Sequence, residues 1–334
     1  MKTRSVRTPG WLRDTAAVGS VVGWLLLAAS CTGDVTGPDR ERAERAAALG
    51  ITSAELGDRI ELIAHDSMGG RATPSPGLEM TAAYVVEQFR AFGLRPGGDQ
   101  GYVQRFPIGA GVPFDAPNVI GWLEGSDPGL RGQYVVFSAH MDHLGIGTPV
   151  SGDSIYNGAD DNASGTAAVL ELAQAFAGLE PPPRRSLVFI AFSGEEVGLV
   201  GSRWYTDHPT IPLADIAANI NLDMIGRNWT DAIVTSTSSS YLLQVAQEVA
   251  SAQADLGLRV IEDPWPEQNL IRRSDQYAFV RYGIPGALFT SGLHGDYHQP
   301  SDEAETIDFE KTARVTRLLF HLGLRLASGD ESPN

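Results

Sequence analysis

Residues 187–196 read Leu-Val-Phe-Ile-Ala-Phe-Ser-Gly-Glu-Glu. The first six residues are typical of a fully buried strand, and Gly194 marks the turn that ends it. Glu195 and Glu196 then follow at the carboxyl end of that strand. Two adjacent carboxylates in a poorly solvated place repel each other, whereas a bound cation would remove that cost. The segment therefore predicts a buried strand that leads directly into metal ligands.

Short apolar runs alternate with helical patterns on both sides of this segment. We predict strands over 118–123, 134–139, 187–192, 216–222, 232–235, 259–261 and 286–289. We predict helices over 40–65 with a break at Gly50, 77–92, 164–176, 239–254, 274–280 and 309–326. This alternation predicts an α/β fold, a single three-layer domain with a mostly parallel central mixed sheet flanked by helices. Ligand sites in such sheets lie at the carboxyl ends of the strands.

The first 30 residues have the features of a signal peptide. Basic residues precede an apolar stretch from 16 to 29, which is too short for a stable membrane span. The stretch ends in Ala-Ala-Ser-Cys at Cys31, which resembles a bacterial lipoprotein cleavage site. We expect export, either as a cell-envelope lipoprotein, periplasmic or outer-membrane attached, or as a secreted protein. The alternative is ordinary signal cleavage nearby, with Cys31 incidental.

Domain boundaries and binding partners follow from composition. Residues 31–50 are expected to form a tether and the start of an N-terminal helix, 51–328 one catalytic domain, and 329–334 a tail. The net charge of −16 opposes phosphate binding, so nucleic acid is excluded as a partner. Contact with a membrane is expected only through a lipid on Cys31, the single cysteine, which also excludes an internal disulfide. The oligomeric state stays open.

Histidines and carboxylates follow most of the predicted strands. His140 and Asp142 come after strand 134–139, and because residues two apart on an extended strand face the same way, Asp142 can orient His140 toward a metal. Each motif alone has an ordinary explanation, such as a helix cap or a surface pair. Together they converge on one edge of one sheet. The others are Asp160 and Asp161, Glu195 and Glu196, Asp223, and His298 with Asp302.

This mixture of ligands predicts a catalytic metal site. Histidine and carboxylate ligands with open positions suit zinc, although such sites also bind other divalent ions. Five candidate ligands exceed the needs of one catalytic zinc, so two zinc ions that share a bridging carboxylate are the simplest interpretation.

The motifs in this order resemble the M28 zinc metallopeptidases of the co-catalytic aminopeptidase type. The resemblance covers about residues 62–307. It rests on Met-Gly-Gly-Arg at 68–71, Asn-Val-Ile-Gly at 118–121, Ser-Ala-His-Met-Asp at 138–142, Gly-Ala-Asp-Asp-Asn-Ala-Ser-Gly at 158–165, Gly-Glu-Glu at 194–196, Asn-Leu-Asp-Met at 221–224 and Tyr-His-Gln-Pro-Ser-Asp at 297–302. Residues 51–328 would then be the peptidase domain.

The resemblance implies a role for each matching residue. Asp160 would bridge two zinc ions, with His140 and Asp223 on one ion and Glu196 and His298 on the other. Glu195 would be the general base for hydrolysis of N-terminal residues from peptide substrates, and Asp142 would orient His140. In the family the peptide bond after the bridging aspartate is commonly cis, which here would be Asp160–Asp161.

One position departs from the family pattern. Some members carry a tyrosine three residues before a Ser-Asp pair, where it donates to the oxyanion, but here the pair is Ser274-Asp275 and the position holds Ile271. A zinc ion alone, Tyr277, Tyr297, Arg272 or Arg273 could take that task. We expect His294 to be a loop residue and not a third histidine ligand. Trp204, Tyr205 and Trp265 could line a specificity pocket, but we expect them to pack in the core.

The same motifs are compatible with related activities. A glutaminyl-peptide cyclotransferase would share the fold and several ligands but use one zinc ion. Carboxypeptidase or dipeptidase action is also compatible, because a zinc pair does not choose the end of the peptide. A binding module that has lost its metals is disfavoured, because all five ligand positions and the base are filled.

Overall fold

A computed structural model describes residues 37–109 and 115–331. Thr36–Asn334 forms one compact unit, and the remaining unit, Met1–Val35, lies outside the described residues. The predicted signal peptide and Cys31 also fall there. Export and lipid anchoring therefore stay predictions, which fractionation of cells producing a Cys31→Ser variant would test. Among the residues described, no helix has the length and apolar character needed to cross a membrane.

Eleven strands occur in the described part of the chain. They are β1 (Arg95–Pro96), β2 (Val103–Pro107), β3 (Asp115–Leu123), β4 (Tyr134–His140), β5 (Gly145–Val150), β6 (Asp153–Tyr156), β7 (Ser186–Phe192), β8 (Ile216–Leu222), β9 (Ala232–Thr237), β10 (Arg259–Glu262) and β11 (Gly286–Thr290). β5 and β6 form a separate antiparallel hairpin. The other nine form the central sheet.

The central sheet is mixed, with a parallel centre. Its order is β1-β3-β7-β4-β8-β11-β9-β10, and β2 pairs with β3. The four middle strands β7, β4, β8 and β11 run parallel to one another. Strand β3 is antiparallel to β7, and β9 is antiparallel to β11. The carboxyl ends of the four middle strands therefore meet at one edge.

Helices cover both faces of the sheet. They are α1 (Pro38–Gly50), α2 (Ser53–Ile63), α3 (Pro76–Ala91), α4 (Gly165–Ala177), α5 (Val200–Asp207), α6 (Ser240–Ala252), α7 (Gln276–Val280) and α8 (Phe309–Ser328). The larger core joins one face of the sheet to helices that include α2, α3, α4, α6 and α8. A smaller core joins the other face to α5 and α7. This arrangement confirms the predicted three-layer α/β fold.

Four phenylalanines form the centre of the larger core. Phe137 on β4 stacks on Phe189 on β7, with ring centroids 5.8 Å apart. Phe176 on α4 lies 5.9 Å from Phe137 and 4.6 Å from Phe320 on α8. All four side chains are fully buried. Burial of side chains of this size contributes roughly 1.5–3 kcal/mol each, so this cluster holds the parallel strands against α4 and α8.

A buried ion pair links three helices of this layer. Arg59 on α2 donates to the Glu171 carboxylate on α4 at 2.6 Å, and to Gln88 on α3 and Gln174 on α4 at 2.7 Å each. The side chains of Arg59 and Glu171 are 10% and 1% exposed. Burial raises the pKa of Glu171 even though Arg59 opposes the shift. The cost of desolvating the Glu171 carboxylate thus outweighs its attraction to Arg59. Without Arg59, the buried charge on Glu171 would be uncompensated.

We expect an Arg59→Met variant to lose about 3–5 kcal/mol of unfolding free energy, because it leaves Glu171 buried without a counter-charge. Urea unfolding followed by circular dichroism measures the loss. The control is Arg259→Met, which breaks a pair with Asp231 whose side chains are 67% and 59% exposed, and which should cost about 0–1 kcal/mol. A double variant, Arg59→Met with Glu171→Met, should recover much of the loss. Equal losses in Arg59→Met and Arg259→Met would contradict the argument.

Candidate metal centre

The middle strands bring the predicted ligands together at one edge of the sheet. His140 ends β4, Glu195 and Glu196 follow β7, and Asp223 follows β8. Gly194 makes the turn between strand and glutamates, with φ at 75°, a left-handed conformation that glycine adopts without strain. His298 arrives from the loop after β11. Parallel pairing of β7, β4 and β8 thus places histidine and carboxylates side by side.

Asp161 lies between the two histidines. Its Oδ1 is 3.3 Å from His140 Nε2, and its Oδ2 is 3.2 Å from His298 Nε2. Asp223 Oδ1 lies 3.4 Å from His140 Nε2, and Glu196 Oε2 lies 3.2 Å from His298 Nε2. The arrangement has two halves, each with one histidine and one carboxylate of its own, and the Asp161 carboxylate joins them.

The structure therefore corrects the assignment of Asp160 as the bridging residue by one position. The Asp160 carboxylate faces away from His140 and His298. Its Oδ1 accepts a hydrogen bond from the Gly226 N–H at 2.7 Å, and its Oδ2 lies 3.2 Å from His294 Nε2. Because consecutive side chains in the turn before α4 point in different directions, only one of the two aspartates can face the histidines.

The expected cis peptide bond moves by the same single residue. It joins Asp161 to Asn162, not Asp160 to Asp161. Both corrections concern the irregular turn over Ala159–Ser164 that precedes α4.

The Asp302 carboxylate fixes the backbone of this turn through hydrogen bonds. Its carboxylate accepts hydrogen bonds from the Asp160 N–H at 3.0 and 3.1 Å and from the Asp161 N–H at 3.0 Å. Burial and the nearby Asp160 carboxylate raise the pKa of Asp302 to about 6. The last aspartate of the motif at 297–302 thus fixes the backbone that carries Asp161.

Arg71 ties together the loops around the site. Its buried guanidinium donates to the carbonyl oxygens of Ile63 and Asn157 at 2.7 Å, and of Met141 and Gly158 at 3.0 Å. Burial lowers the pKa of Arg71 to about 10, although surrounding carboxylates oppose the shift. A charged group inside the protein is tolerated here because four carbonyl dipoles solvate it. The Met-Gly-Gly-Arg motif therefore has a structural role.

His143 is a residue of the site that sequence reasoning missed. Its Nδ1 lies 2.8 Å from Glu196 Oε1, and its ring is fully buried. Gly158, with φ at 56°, makes room for it, because a Cβ there would lie 2.4 Å from the His143 ring. The sequence signal for it is a second histidine three residues after His140, in His-Met-Asp-His at 140–143. The contact orients the oxygen of Glu196 that does not face His298.

Asp142 holds both His140 and the glutamate turn. Its backbone carbonyl oxygen lies 3.2 Å from His140 Nδ1, whereas its carboxylate Oδ1 is more distant at 3.7 Å. The carboxylate instead accepts from Thr73 Oγ1 at 2.9 Å and from the Glu195 N–H at 3.3 Å. Asp142 therefore orients His140 mainly through its backbone and positions Glu195 through its side chain.

Glu195 lies next to the half of the site formed by His140 and Asp223. One oxygen of Glu195 and ligand atoms of those two residues lie within 4.8 Å of one another. Burial, together with the carboxylates of Asp223 and Asp275, raises the pKa of Glu195 well above its usual range, although His140 opposes the shift. The tandem glutamates thus occupy different places, since Glu196 faces His298 and His143.

A cleft opens beside the metal ligands. Asp161, Glu195, Asp223 and His298 are part of its lining. The remaining lining includes Met224, Trp265, Gln268, Leu270, Arg273, Leu288, Leu293 and Tyr297. Trp265 therefore lies at the cleft and not in the core, contrary to expectation, whereas Tyr205 is fully buried in the smaller core. Trp204 packs against the edge of the larger core.

The cleft narrows the choice of an oxyanion donor. Arg273 and Tyr297 line it, whereas Arg272 lies over the ring of Tyr277, 5.6 Å from its centroid, and neither of these two lines the cleft. The Tyr297 ring stacks on His298 with centroids 3.8 Å apart. Burial, and then the carboxylates of Asp161 and Glu196, raise the pKa of Tyr297, so its hydroxyl stays protonated and can donate.

The residues present fit zinc. Two imidazoles and three carboxylates offer nitrogen and oxygen ligands of the kind that catalytic zinc takes. Within the described part of the chain, Asp223 Oδ1 is buried without a hydrogen-bond partner. Burial disfavours charge on His140, but Asp223 and Glu195 outweigh it and raise the pKa of its imidazole. The negative charge that favours a proton on His140 equally favours a bound metal cation.

The sequence matches a known family over most of this domain. Residues 118–323, more than half of the chain, match peptidase family M28. A probable zinc metalloprotease of Pyrenophora tritici-repentis is 27% identical over 66% of this chain and 59% of its own length. Aminopeptidase YwaD of Bacillus subtilis is 32% identical over 48% of this chain and 36% of its own. The chain thus spans about a third to three fifths of these curated relatives.

Solved structures share the fold. An aminopeptidase from Aneurinibacillus sp. strain AM-1 superposes with a TM-score of 0.67 at 16% identity, covering 86% of this chain and 97% of that one. A glutaminyl cyclase from Porphyromonas gingivalis superposes with a TM-score of 0.63 at 16% identity, covering 81% and 97%. The fold and the site define a metal-binding α/β domain. The chain belongs to peptidase family M28.

Proposed function

We propose that this protein is a di-zinc aminopeptidase that removes N-terminal residues from peptides. The observation that carries the proposal is the Asp161 carboxylate, whose two oxygens face His140 and His298 separately. His140 and Asp223 would hold one ion, Glu196 and His298 the other, and Asp161 both. Bound zinc would lower the pKa of the attacking water and polarise the peptide carbonyl.

Two residues of the chain then have separate tasks: Glu195 transfers the proton, and Tyr297 stabilises the developing negative charge. Glu195 takes a proton from the attacking water and returns it to the leaving amine. Its position is set by its own N–H, which donates to Asp142. The Tyr297 hydroxyl, in the lining of the same cleft, donates a hydrogen bond to the oxygen of the peptide carbonyl as negative charge develops there.

Peptides with blocked ends test this function. The zinc-loaded protein should release N-terminal residues one at a time from a peptide with a free amine, and should leave the N-acetylated peptide intact. Chelation followed by dialysis should abolish release, and added zinc should restore it, because imidazoles and carboxylates alone cannot activate the water or polarise the peptide carbonyl. Mass spectrometry follows the products.

Three other outcomes would redirect the assignment. Cleavage of the acetylated peptide but not of a C-terminally amidated one would show a carboxypeptidase, and cleavage of a dipeptide alone would show a dipeptidase. Cyclisation of an N-terminal glutamine peptide, with one zinc ion per chain, would show a glutaminyl cyclase. The shared position of Asp161 supports two ions over one.

A further inference from the structure

The cleft beside the metal ligands contains a cation that forms no ion pair within the described part of the chain. Arg273 lines it, and its side chain is exposed. Across residues 37–109 and 115–331, no hydrogen bond or ion pair involves its guanidinium. The chain has 41 acidic and 25 basic residues, so acidic partners for an arginine are plentiful. Arg273 remains unpaired in a lining that a substrate side chain would enter.

A second polar side chain lies in the same lining. Gln268 is partly buried, and within the described ranges its side-chain amide makes no hydrogen bond. An arginine offers a planar fork of N–H donors that matches a carboxylate, and a glutamine amide adds two further donors. Both side chains line the same cleft, and each offers donors to an anion with planar oxygens.

Much of the remaining lining is apolar. Met224, Leu270 and Leu288 are each at most 6% exposed, and Trp265 lines the same cleft. Methylene groups of a substrate side chain would be buried against these residues, while its carboxylate would pair with Arg273. The lining thus combines apolar side chains with a cation.

The charges near the metal ligands are consistent with such a substrate. With Glu195 ionised as the base, Asp161, Glu195, Glu196 and Asp223 contribute four negative charges, which two zinc ions would balance. Arg273 then adds a positive charge to the lining. An acidic side chain in the cleft would be attracted, whereas a lysine or arginine side chain would meet a like charge.

We propose that the cleft selects peptides whose N-terminal residue is acidic, with Arg273 and Gln268 binding the side-chain carboxylate. Glutamate fits best, because its two methylene groups contact the apolar side chains of the lining. This inference rests on the proposed aminopeptidase function and adds the class of substrate to it.

Matched substrates test the proposal. The zinc-loaded protein should hydrolyse glutamyl-4-nitroanilide with a higher kcat/KM than glutaminyl-4-nitroanilide, which has the same shape without the charge. In an Arg273→Gln variant this ratio should fall about 10-fold to 100-fold, as expected for loss of a charged hydrogen bond. The control is Arg272→Gln, which removes the same charge one residue away and outside the cleft, and which should keep the wild-type ratio.

Two further readouts separate recognition of charge from general damage. Glutamate should inhibit the wild-type protein more strongly than glutamine, and Arg273→Gln should remove the difference. The glutamyl to glutaminyl ratio of the wild type should also decline as the salt concentration rises, because Arg273 is exposed and dissolved ions screen its charge. An Arg273→Lys variant should keep part of the preference.

Several results would overturn the proposal. A glutamyl to glutaminyl ratio that is the same in wild type and Arg273→Gln would show that Arg273 does not read the side chain. A preference for Gln-Leu over its C-terminal amide that Arg273→Gln abolishes would assign the arginine to the chain end of a dipeptide instead. Failure to hydrolyse any aminoacyl substrate, leucyl-4-nitroanilide included, would refute the aminopeptidase function itself.

Discussion

A Glu195→Gln variant is expected to lose about 10²- to 10⁴-fold in kcat while it keeps its zinc, because glutamine has the shape of glutamate but cannot accept the proton of the attacking water. The backbone contact that positions the residue, from its N–H to Asp142, does not involve the side chain and should persist. Steady-state kinetics with aminoacyl-nitroanilides measures the loss, and atomic emission of the dialysed protein measures zinc.

Two comparisons make this result specific to Glu195. Glu87→Gln changes an exposed glutamate on α3 and should retain wild-type kcat. Glu196→Gln weakens a ligand that faces His298 and should lower zinc content together with activity. If Glu195→Gln kept its activity, Glu195 would not be the base. If it lost activity only through loss of zinc, Glu195 would be a ligand.

The carboxyl edge of the sheet could be predicted from the sequence because its signals are local. An apolar run as short as 187–192, rich in Val, Ile and Phe and followed by a turn residue, favours a buried strand. Polar residues placed directly after such runs lie near one another once the strands are parallel. The ends of strands β7, β4, β8 and β11 therefore agree with the prediction within a residue or two. His140, Glu196 and Asp223 follow from this logic, whereas His298 lies in the loop after β11 and was predicted from the motif at 297–302. The structure brings all four together.

Features that depend on backbone direction could not be predicted in the same way. Strands β1 and β2 are short and lie among proline and glycine, so no apolar run marks them. The direction of β9, antiparallel to β11, has no local signal either. Trp265 reaches the cleft through a turn that follows β10, and a tryptophan in a sequence gives no sign of whether it packs in a core or lines a site.

The pair Asp160 and Asp161 shows the same limit at atomic scale. Both residues are acidic, both are buried, and both lie behind the same Gly-Ala bend. Which one faces the histidines depends on the path of the turn over Ala159–Ser164, which tertiary contacts decide, including those of Asp302 with the two N–H groups. The motif spacing predicts that one aspartate of this turn faces the histidines, but it does not tell which of the two.

An Asp161→Ala variant should therefore lose zinc, whereas Asp160→Ala should keep it. Asp161 contacts both histidines, so its removal takes one ligand from each half of the site. Groups that only orient a metal ligand typically change affinity 10- to 100-fold, and loss of a shared ligand should exceed that range. Zinc content after dialysis against a competing chelator, measured by mass spectrometry, should fall well below the wild-type value, with activity lost in parallel.

Asp160→Ala serves as the adjacent control, and its expected defect is of a different kind. It leaves the Gly226 N–H without its acceptor and His294 without its neighbour, at a cost of about 1–3 kcal/mol in unfolding free energy. Its zinc content should stay at the wild-type value as long as the protein is folded. The reverse pattern, with zinc lost in Asp160→Ala and retained in Asp161→Ala, would reinstate Asp160 as the bridge. Asp161→Asn, which keeps an oxygen toward one histidine but removes the charge, should bind zinc with intermediate affinity.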